Sequence, residues 1–363
     1  MASEEAHSIG QEAADRLMSG QLFDSEVIWA ARYERLRESG YLLRPRYRPG
    51  WIAPWKPGDN ILFEEQAMIA WSKKLDAERI SDGVPVFLKP IPKSSPEIPI
   101  GILLTSDKLR DDSRNHAVPL LDVIEDPTDP DGVILVLPML RRIDSPLPGS
   151  VKECLELVEQ TLEGLVFLHE LQVAHRDCAW GNIMMDGRAL FPNGWHPQGF
   201  RTSKNGKEPV PIPSLREVDR LRYYFIDFGI STVGEDMTVG TPGQERAPEL
   251  SADIPYDPYK LDVYILGMAY KRLLGWKFRN IDFLKPLIDF MTAEDPSQRP
   301  TALASYERFK ELRDGISSQE LRRRLPLRES SESNSTRLWN DLHHAILDFW
   351  WSYKTKRTVG PLS

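Results

Sequence analysis

The chain contains 363 residues, 41% of them hydrophobic, and carries a formal net charge of -8. This length and composition allow a substantial core, and the negative charge argues against general binding to nucleic acids or to anionic membranes. Its two cysteines, Cys154 and Cys178, are too few for a disulfide scaffold or a cysteine-based metal site.

The sequence contains no recognisable targeting segment. Its first six residues (MASEEA) lack the basic region and apolar core of a secretory signal. No apolar run reaches the ~18 residues that a transmembrane helix needs. We therefore expect no transmembrane segment and a location in the cytosol or nucleus.

Residues 1–58 are predicted to form an N-terminal extension with two parts. Residues 26–38 place apolar and aromatic side chains, including Trp29, at helical spacing. Residues 43–55 are rich in proline and aromatic side chains, which favours an extended arm. Trp51 and Trp55 either anchor this arm to the rest of the protein or dock a partner.

Three further segments have clear periodicity. Residues 84–89 form an apolar run that ends at Lys89, which predicts a strand. Residues 133–137 (VILVL) predict a buried strand. Residues 151–171 place Val151, Cys154, Val158 and other apolar side chains on one face, which predicts a long amphipathic helix.

Five short motifs follow one another in the second half of the chain. They are residues 175–182 (HRDCAWGN), 227–229 (DFG), 247–249 (APE), 262–267 (DVYILG) and 295–300 (DPSQRP). A DFG tripeptide alone is weak, because it occurs by chance in many turns. The order of all five strengthens the interpretation.

Together these motifs resemble those of eukaryotic-type protein kinases, over about residues 61–312. The resemblance implies an α+β, two-lobed kinase-like fold. A small β-rich N-lobe would comprise residues 59–140 and a larger helical C-lobe residues 141–312, within a kinase-like domain of residues 59–312.

The resemblance also implies roles for the C-lobe residues. Asp177 would accept the proton of the attacking hydroxyl, while Asn182 and Asp227 would each hold Mg²⁺ beneath the phosphates of ATP. Glu249 and Arg299 would form a buried ion pair. Asp262 would brace the backbone of the catalytic loop, and His175 would pack beneath Phe228 rather than act as a base.

In the N-lobe, the resemblance assigns Lys89 to the α- and β-phosphates and Glu97 as its partner. Glu97 is less secure because Pro96 and Pro99 flank it, and proline is tolerated only in the first turn of a helix. Adenine would contact the carbonyl of Pro138 and the amide of Leu140, because proline has no amide hydrogen to donate.

Two departures weaken the resemblance. Residues 60–82, where kinases carry a glycine-rich loop, contain no glycine and place Glu64 and Glu65 near the expected phosphates. Ala179 stands where serine/threonine kinases carry a lysine. Residues 239–242 (VGTP) nevertheless resemble a serine/threonine enzyme, although one extra residue separates them from the APE motif.

Two segments are additional to what a kinase domain usually contains. Residues 187–218 form a long insertion that either packs on the lobe or touches substrate. Together with the arm at residues 44–47, this insertion resembles divergent fungal protein-kinase-like proteins.

Residues 313–363 carry a polar stretch, predicted to be a mobile linker at 329–336, and then an amphipathic helix. That helix either docks on the protein or contacts a partner or membrane surface.

The sequence therefore predicts an ATP- and Mg²⁺-dependent kinase acting on serine or threonine of an unidentified protein. The alternative is a pseudokinase, which keeps the fold as a scaffold with weak or no nucleotide binding. A small-molecule kinase is disfavoured by the motifs at 247–249 and 295–300. Fold resemblance alone does not decide among these functions.

Overall fold

The computed structural model describes residues 19–56, 74–197, 201–204, 208–354, 356–358 and 362. Most of the glycine-free segment at 60–82, including Glu64 and Glu65, lies outside the described residues. The described part is a mixed α+β structure with a curled antiparallel sheet. This agrees with the α+β part of the expected fold.

The main sheet has five antiparallel strands in the order β1-β2-β3-β5-β4. The strands are β1 (Tyr41–Leu42), β2 (Leu75–Arg79), β3 (Pro85–Pro92), β4 (Asp122–Glu125) and β5 (Gly132–Pro138). Central strand β5 is buried along its whole length, as expected for a continuous apolar run. Lys89 of β3 lies opposite Leu135 of β5.

Alternation along β5 divides its side chains between two hydrophobic clusters. Ile134 and Val136 belong to a smaller cluster with residues of the N-terminal arm. Val133, Leu135 and Leu137 belong to the larger cluster that contains the C-terminal helices. Because successive side chains of a strand point to opposite faces, one strand helps to form both cores.

Helix α1 (Asp24–Glu38) covers the sheet on the side of the smaller cluster. It buries Trp29 and Leu36 completely. Its buried Glu26 accepts a hydrogen bond of 2.8 Å from Arg46. The helix predicted at 26–38 is thus confirmed. Strand β1 lies between this helix and the arm at 43–55, in which Pro45–Tyr47 form a short 3-10 helix rather than extended backbone.

On the other side of the sheet, α2 (Glu97–Leu104) leads into the larger cluster through Ile100 and Leu104. The remaining helices are α3 (Val151–Glu170), α4 (Pro258–Tyr270), α5 (Lys285–Met291), α6 (Ala302–Asp314), α7 (Ser318–Leu321) and α8 (Asn334–Ser352). Helix α3 is largely buried and begins at Ser150, whose hydroxyl accepts from the Glu153 amide.

Short strands connect the helices near the predicted catalytic motifs. A three-stranded sheet contains β6 (Arg141–Arg142), β8 (Ile183–Met185) and β9 (Tyr223–Phe225). Two ladders join β7 (Val173–Ala174) to β10 (Thr232–Val233), and β11 (Thr238–Gly240) to β12 (Ser251–Tyr256). These pairings bring the motifs at 175–182 and 227–229 to adjacent strand ends.

The described part of the insertion packs on the protein. Trp195 and His196 are buried, and the Arg141 guanidinium lies 4.0 Å from the centre of the Phe191 ring. Burial of two large side chains agrees with the expectation that the insertion packs on the lobe.

The prediction of a mobile linker at 329–336 is wrong at its C-terminal end. Glu332 forms an ion pair of 2.7 Å with Arg324, and the Ser333 hydroxyl caps α8, which begins at Asn334. A polar composition misled the prediction, because polar residues also form helix caps. Within the described ranges, no helix has the length and apolar character needed to cross a membrane.

Candidate active site

Lys89 connects two acidic residues that are distant in sequence. Its Nζ lies 2.5 Å from Oε2 of Glu97 and 2.7 Å from Oδ1 of Asp227. Asp227 is 138 positions from Lys89. The Lys89 and Glu97 side chains are buried, whereas that of Asp227 is more exposed. The lysine therefore joins strand β3, helix α2 and the segment that begins at Asp227, at a site that is partly open.

The prolines around Glu97 are compatible with its helix. Glu97 is the first residue of α2, Pro96 is its N-cap, and Pro99 lies in the first turn. The amide groups of a first turn have no intrahelical acceptor, so proline loses no hydrogen bond there. The predicted contact between Lys89 and Glu97 is confirmed.

The pKa values of Glu97 and Asp227, the two partners of Lys89, are shifted in opposite directions. Burial raises the pKa of Glu97, and the attraction of Lys89 offsets this only in part. Burial also acts to raise the pKa of Asp227, but the charge and hydrogen bond of Lys89, with the electrostatic effects of Lys74 and His175, together outweigh it, so that pKa is lowered. Asp227 is therefore ionised at neutral pH.

Asp177 accepts hydrogen bonds from Asn182 and from Gln244. Asn182 Nδ2 donates to Asp177 Oδ2 over 2.8 Å and to its backbone carbonyl over 2.9 Å. Gln244 donates its backbone amide to Oδ1 over 2.8 Å and its side-chain amide to Oδ2 over 3.2 Å. The structure thus brings the predicted acceptor carboxylate and Asn182 together.

Gln244 was not anticipated from the sequence, and two glycines make room for it. A Cβ on Gly181 would lie 2.6 Å from Gln244 Oε1. A Cβ on Gly243 would lie 2.9 Å from Asp177 Oδ1, and Gly243 has φ of +90°. The glycine before Gln244 was the available sequence signal, since it permits this close backbone approach.

Asp262 fixes the backbone that precedes Asp177. Its Oδ2 accepts the His175 amide over 2.8 Å, and its Oδ1 accepts the Arg176 amide over 2.6 Å. Arg176 has φ of +65°, a conformation that costs energy for a non-glycine residue. The expected brace by Asp262 is confirmed, and it compensates for this cost.

His175 is a packing residue in this arrangement. Its ring centre lies 4.7 Å from that of Phe228, as expected. Complete burial lowers the pKa of His175. A neutral, buried ring at this position agrees with a structural role.

Asn182 and Asp227 come from neighbouring segments. The Ile226 amide donates to the Asn182 backbone carbonyl over 2.9 Å, directly before Asp227. An amide oxygen and a carboxylate are both ligand types that Mg²⁺ accepts, so Asn182 would hold one such ion and Asp227 the other. In the described ranges, no three His, Cys, Asp or Glu side chains form a group able to hold a metal ion.

The segment after Asp227 is held by Arg176. Its guanidinium donates to the Val239 carbonyl over 2.9 Å and to the Tyr256 hydroxyl over 3.1 Å. These contacts lie at the β11–β12 ladder, a few residues from Gln244. Arg176 therefore helps to fix the segment that covers Asp177.

The predicted adenine contacts lie at the end of β5. Pro138 is opposite Val86 in the β3–β5 register, and both Pro138 and Leu140 are buried. Their roles as carbonyl acceptor and amide donor remain predictions.

Glu249 and Arg299 form the expected buried ion pair. Arg299 Nη2 donates to Glu249 Oε2 over 2.8 Å, and its Nη1 donates to Oε1. The exposed side-chain fractions are 0% for Arg299 and 8% for Glu249. The pair joins the end of the segment after Asp227 to the loop before α6.

Comparison with known proteins gives no assignment. No protein-family model matches the chain, and no curated protein matches its sequence. Function must therefore be inferred from the residues of the site.

Proposed function

We propose that this protein is a two-lobed, protein-kinase-like phosphotransferase that transfers the γ-phosphoryl group of ATP to serine or threonine of a protein. The observation that carries the proposal is the position of Lys89 between Glu97 and Asp227. That arrangement joins a strand, a helix and a loop at one point, as the reaction requires for phosphate binding.

The remaining residues have roles that agree with this reaction. Asp177 would orient the acceptor hydroxyl and take its proton. Asn182 and Asp227 would hold Mg²⁺, which would neutralise charge on the phosphates. Asp262 supports this chemistry indirectly, because it fixes the backbone at His175 and Arg176.

The proposed lobes correspond to the two sides of this site. The sheet with α2 would be the N-lobe and supplies Lys89 and Glu97, while the helices from α3 onward would be the C-lobe and its loops supply Asp177, Asn182 and Asp227. Nucleotide would bind between them, beside Pro138 and Leu140. This description rests on the resemblance and on the contacts of the named residues.

A pseudokinase is the second candidate, and Gln244 is the observation that favours it. Its backbone and side-chain amides donate to both oxygens of Asp177. An acceptor hydroxyl would have to compete with these donors. The lack of glycine in residues 60–82 also favours a pseudokinase.

The deciding experiment measures transfer of labelled γ-phosphate from MgATP to the protein itself and to a mixture of serine- and threonine-containing proteins. Asp177→Asn should reduce transfer by about 10²-fold or more, because it removes the proton acceptor and keeps the shape. Asp111→Asn is the matched control, since this aspartate is 85% exposed and should retain full activity.

Wild-type transfer must be measured first, and thermal unfolding must show that Asp177→Asn remains folded. Equal transfer by wild type and Asp177→Asn would exclude the catalytic role of Asp177. If wild type transfers no phosphate, a thermal-shift titration with ATP separates the two candidates. A Mg²⁺-dependent shift supports nucleotide binding, and no shift with or without Mg²⁺ favours the scaffold.

A further inference from the structure

Helix α8 (Asn334–Ser352) presents its apolar side outward. Six large side chains recur at intervals of three and four on the helix or directly after it and form what we call the outer stripe: Trp339, Leu342, Ile346, Phe349, Trp350 and Tyr353. Their exposed fractions lie between 47% and 77%. A surface helix of a globular protein usually buries such a stripe, so this orientation is unusual.

Contacts on the opposite side hold the helix in this orientation. His344 is buried, and its Nε2 lies 2.6 Å from Arg216 Nη2 and 3.2 Å from the Gly149 carbonyl. Asp341 forms an ion pair of 2.8 Å with Arg324. The polar side of α8 therefore docks on the protein, and the outer stripe lies on the opposite, exposed side.

The charge around α8 differs in sign from that of the whole chain. Residues 322–358 contain eight Lys and Arg and four Asp and Glu, in a chain whose total charge is -8. Arg328 and Arg357 pair with Asp282 and Glu217, which lie outside this range, so that an excess of two positive charges remains. Three of the four acidic residues are paired with arginines. Lys354 and Lys356 directly follow the stripe, and Lys354 Nζ lies 4.5 Å from the centre of the Trp350 ring.

We propose that the outer stripe binds the surface of an anionic lipid bilayer, with α8 lying in the plane of the interface. An apolar face rich in tryptophan enters the boundary between headgroups and acyl chains, and neighbouring lysines attract anionic headgroups. Tryptophan and tyrosine are suited to this boundary, because each has an apolar ring and a polar group.

The charge argues for lipid over a second copy of the chain. Two stripes facing each other would bring together two segments that each carry an excess of positive charge, and like charges facing each other oppose association. An anionic bilayer supplies both the apolar region and the opposite charge. The total charge of -8 does not prevent this, because screening limits the contribution of groups beyond about 8 Å.

The test is flotation of the full chain with vesicles made of equal parts phosphatidylcholine and phosphatidylserine, compared with pure phosphatidylcholine. We expect binding to the mixed vesicles and at least about tenfold weaker binding to the neutral ones. Leu342→Glu should weaken binding to the mixed vesicles by about tenfold or more. Leu303→Glu is the matched control, because Leu303 on α6 is 51% exposed and Leu342 is 53% exposed.

A double variant, Lys354→Glu with Lys356→Glu, tests the charge separately and should also lose about tenfold or more. Thermal unfolding of each variant checks that it folds. The proposal is overturned if wild type does not float with the mixed vesicles, or if Leu342→Glu floats equally well. Sedimentation equilibrium provides a third outcome: a dimer that Leu342→Glu dissociates, without vesicle binding, would assign the stripe to a second copy and overturn the proposal.

Discussion

Gln244 donates two hydrogen bonds to Asp177, one from its backbone amide over 2.8 Å and one from its side chain over 3.2 Å. Asn182 is a third donor, so both carboxylate oxygens of Asp177 already accept hydrogen bonds from other residues of the chain. For the proposed phosphotransferase, an acceptor hydroxyl must find an open position on the same carboxylate. Gln244 is therefore expected to limit the reaction.

We predict that Gln244→Ala increases phosphoryl transfer about two- to tenfold, because it removes a competing hydrogen bond worth about 0.5–1.5 kcal/mol and keeps the backbone donor. Initial rates with saturating MgATP measure the effect. Gln298→Ala, at an exposed glutamine, is the control and should leave the rate unchanged. A lower rate in Gln244→Ala would instead assign Gln244 to positioning Asp177.

Arg299→Ala should destabilise the protein by roughly 3–5 kcal/mol, because Glu249 would remain as a buried carboxylate without its partner. Urea unfolding measures the free energy. Arg308→Ala is the comparison, since Arg308 is 46% exposed and pairs with Glu311 on the surface of α6; it should cost less than about 1 kcal/mol. A similarly small loss for Arg299→Ala would contradict the buried pair.

Docking of α8 should weaken at acidic pH through His344. Burial, followed by the positive charge of Arg216, lowers the pKa of His344 below its ordinary 6.5. Arg324 adds to this effect, and Asp348 opposes it. The group therefore stabilises the folded state above pH 6.5, and this contribution is lost as the pH falls through its folded pKa.

Hydrogen exchange of residues 334–352 from about pH 8 to about pH 5 measures this loss, after correction for the intrinsic pH dependence of exchange. Protection should decrease on acidification in wild type. His344→Gln should remove most of that change, whereas His343→Gln, at the exposed neighbouring histidine, should retain it. Equal pH dependence in wild type and His344→Gln would exclude His344 as the titrating group.

We expect MgATP to bind weakly, with a dissociation constant of about 100 μM or above. Residues 60–82 contain no glycine, and side chains hold a covering backbone away from phosphates. Isothermal calorimetry measures the constant, and Lys89→Met should weaken binding further. A dissociation constant near 1 μM, about -8.2 kcal/mol, would show that the protein binds the phosphates tightly without a glycine-rich loop.

The contacts of Lys89 show which features of the site could be predicted from the sequence and which could not. Its strand is visible as an apolar run. The kinase resemblance predicted a glutamate partner, and Glu97 is the only acidic residue between Lys89 and Asp107. The start of α2 at Glu97 is compatible with the rule that proline is tolerated in a first helical turn, whereas the register of β3 against β5 was seen only in the structure. The contact with Asp227 depends on how these elements meet.

By itself, the sequence determined the α+β class, the strands and helices with strong periodicity, and the candidate residues for the proposed reaction. Tertiary structure decided that Gln244 lies on Asp177, because that contact joins segments 67 positions apart that share no periodic pattern. It also decided which way α8 faces. Periodicity shows that a helix has an apolar side, but only the neighbouring contacts of His344 and Asp341 direct that side outward.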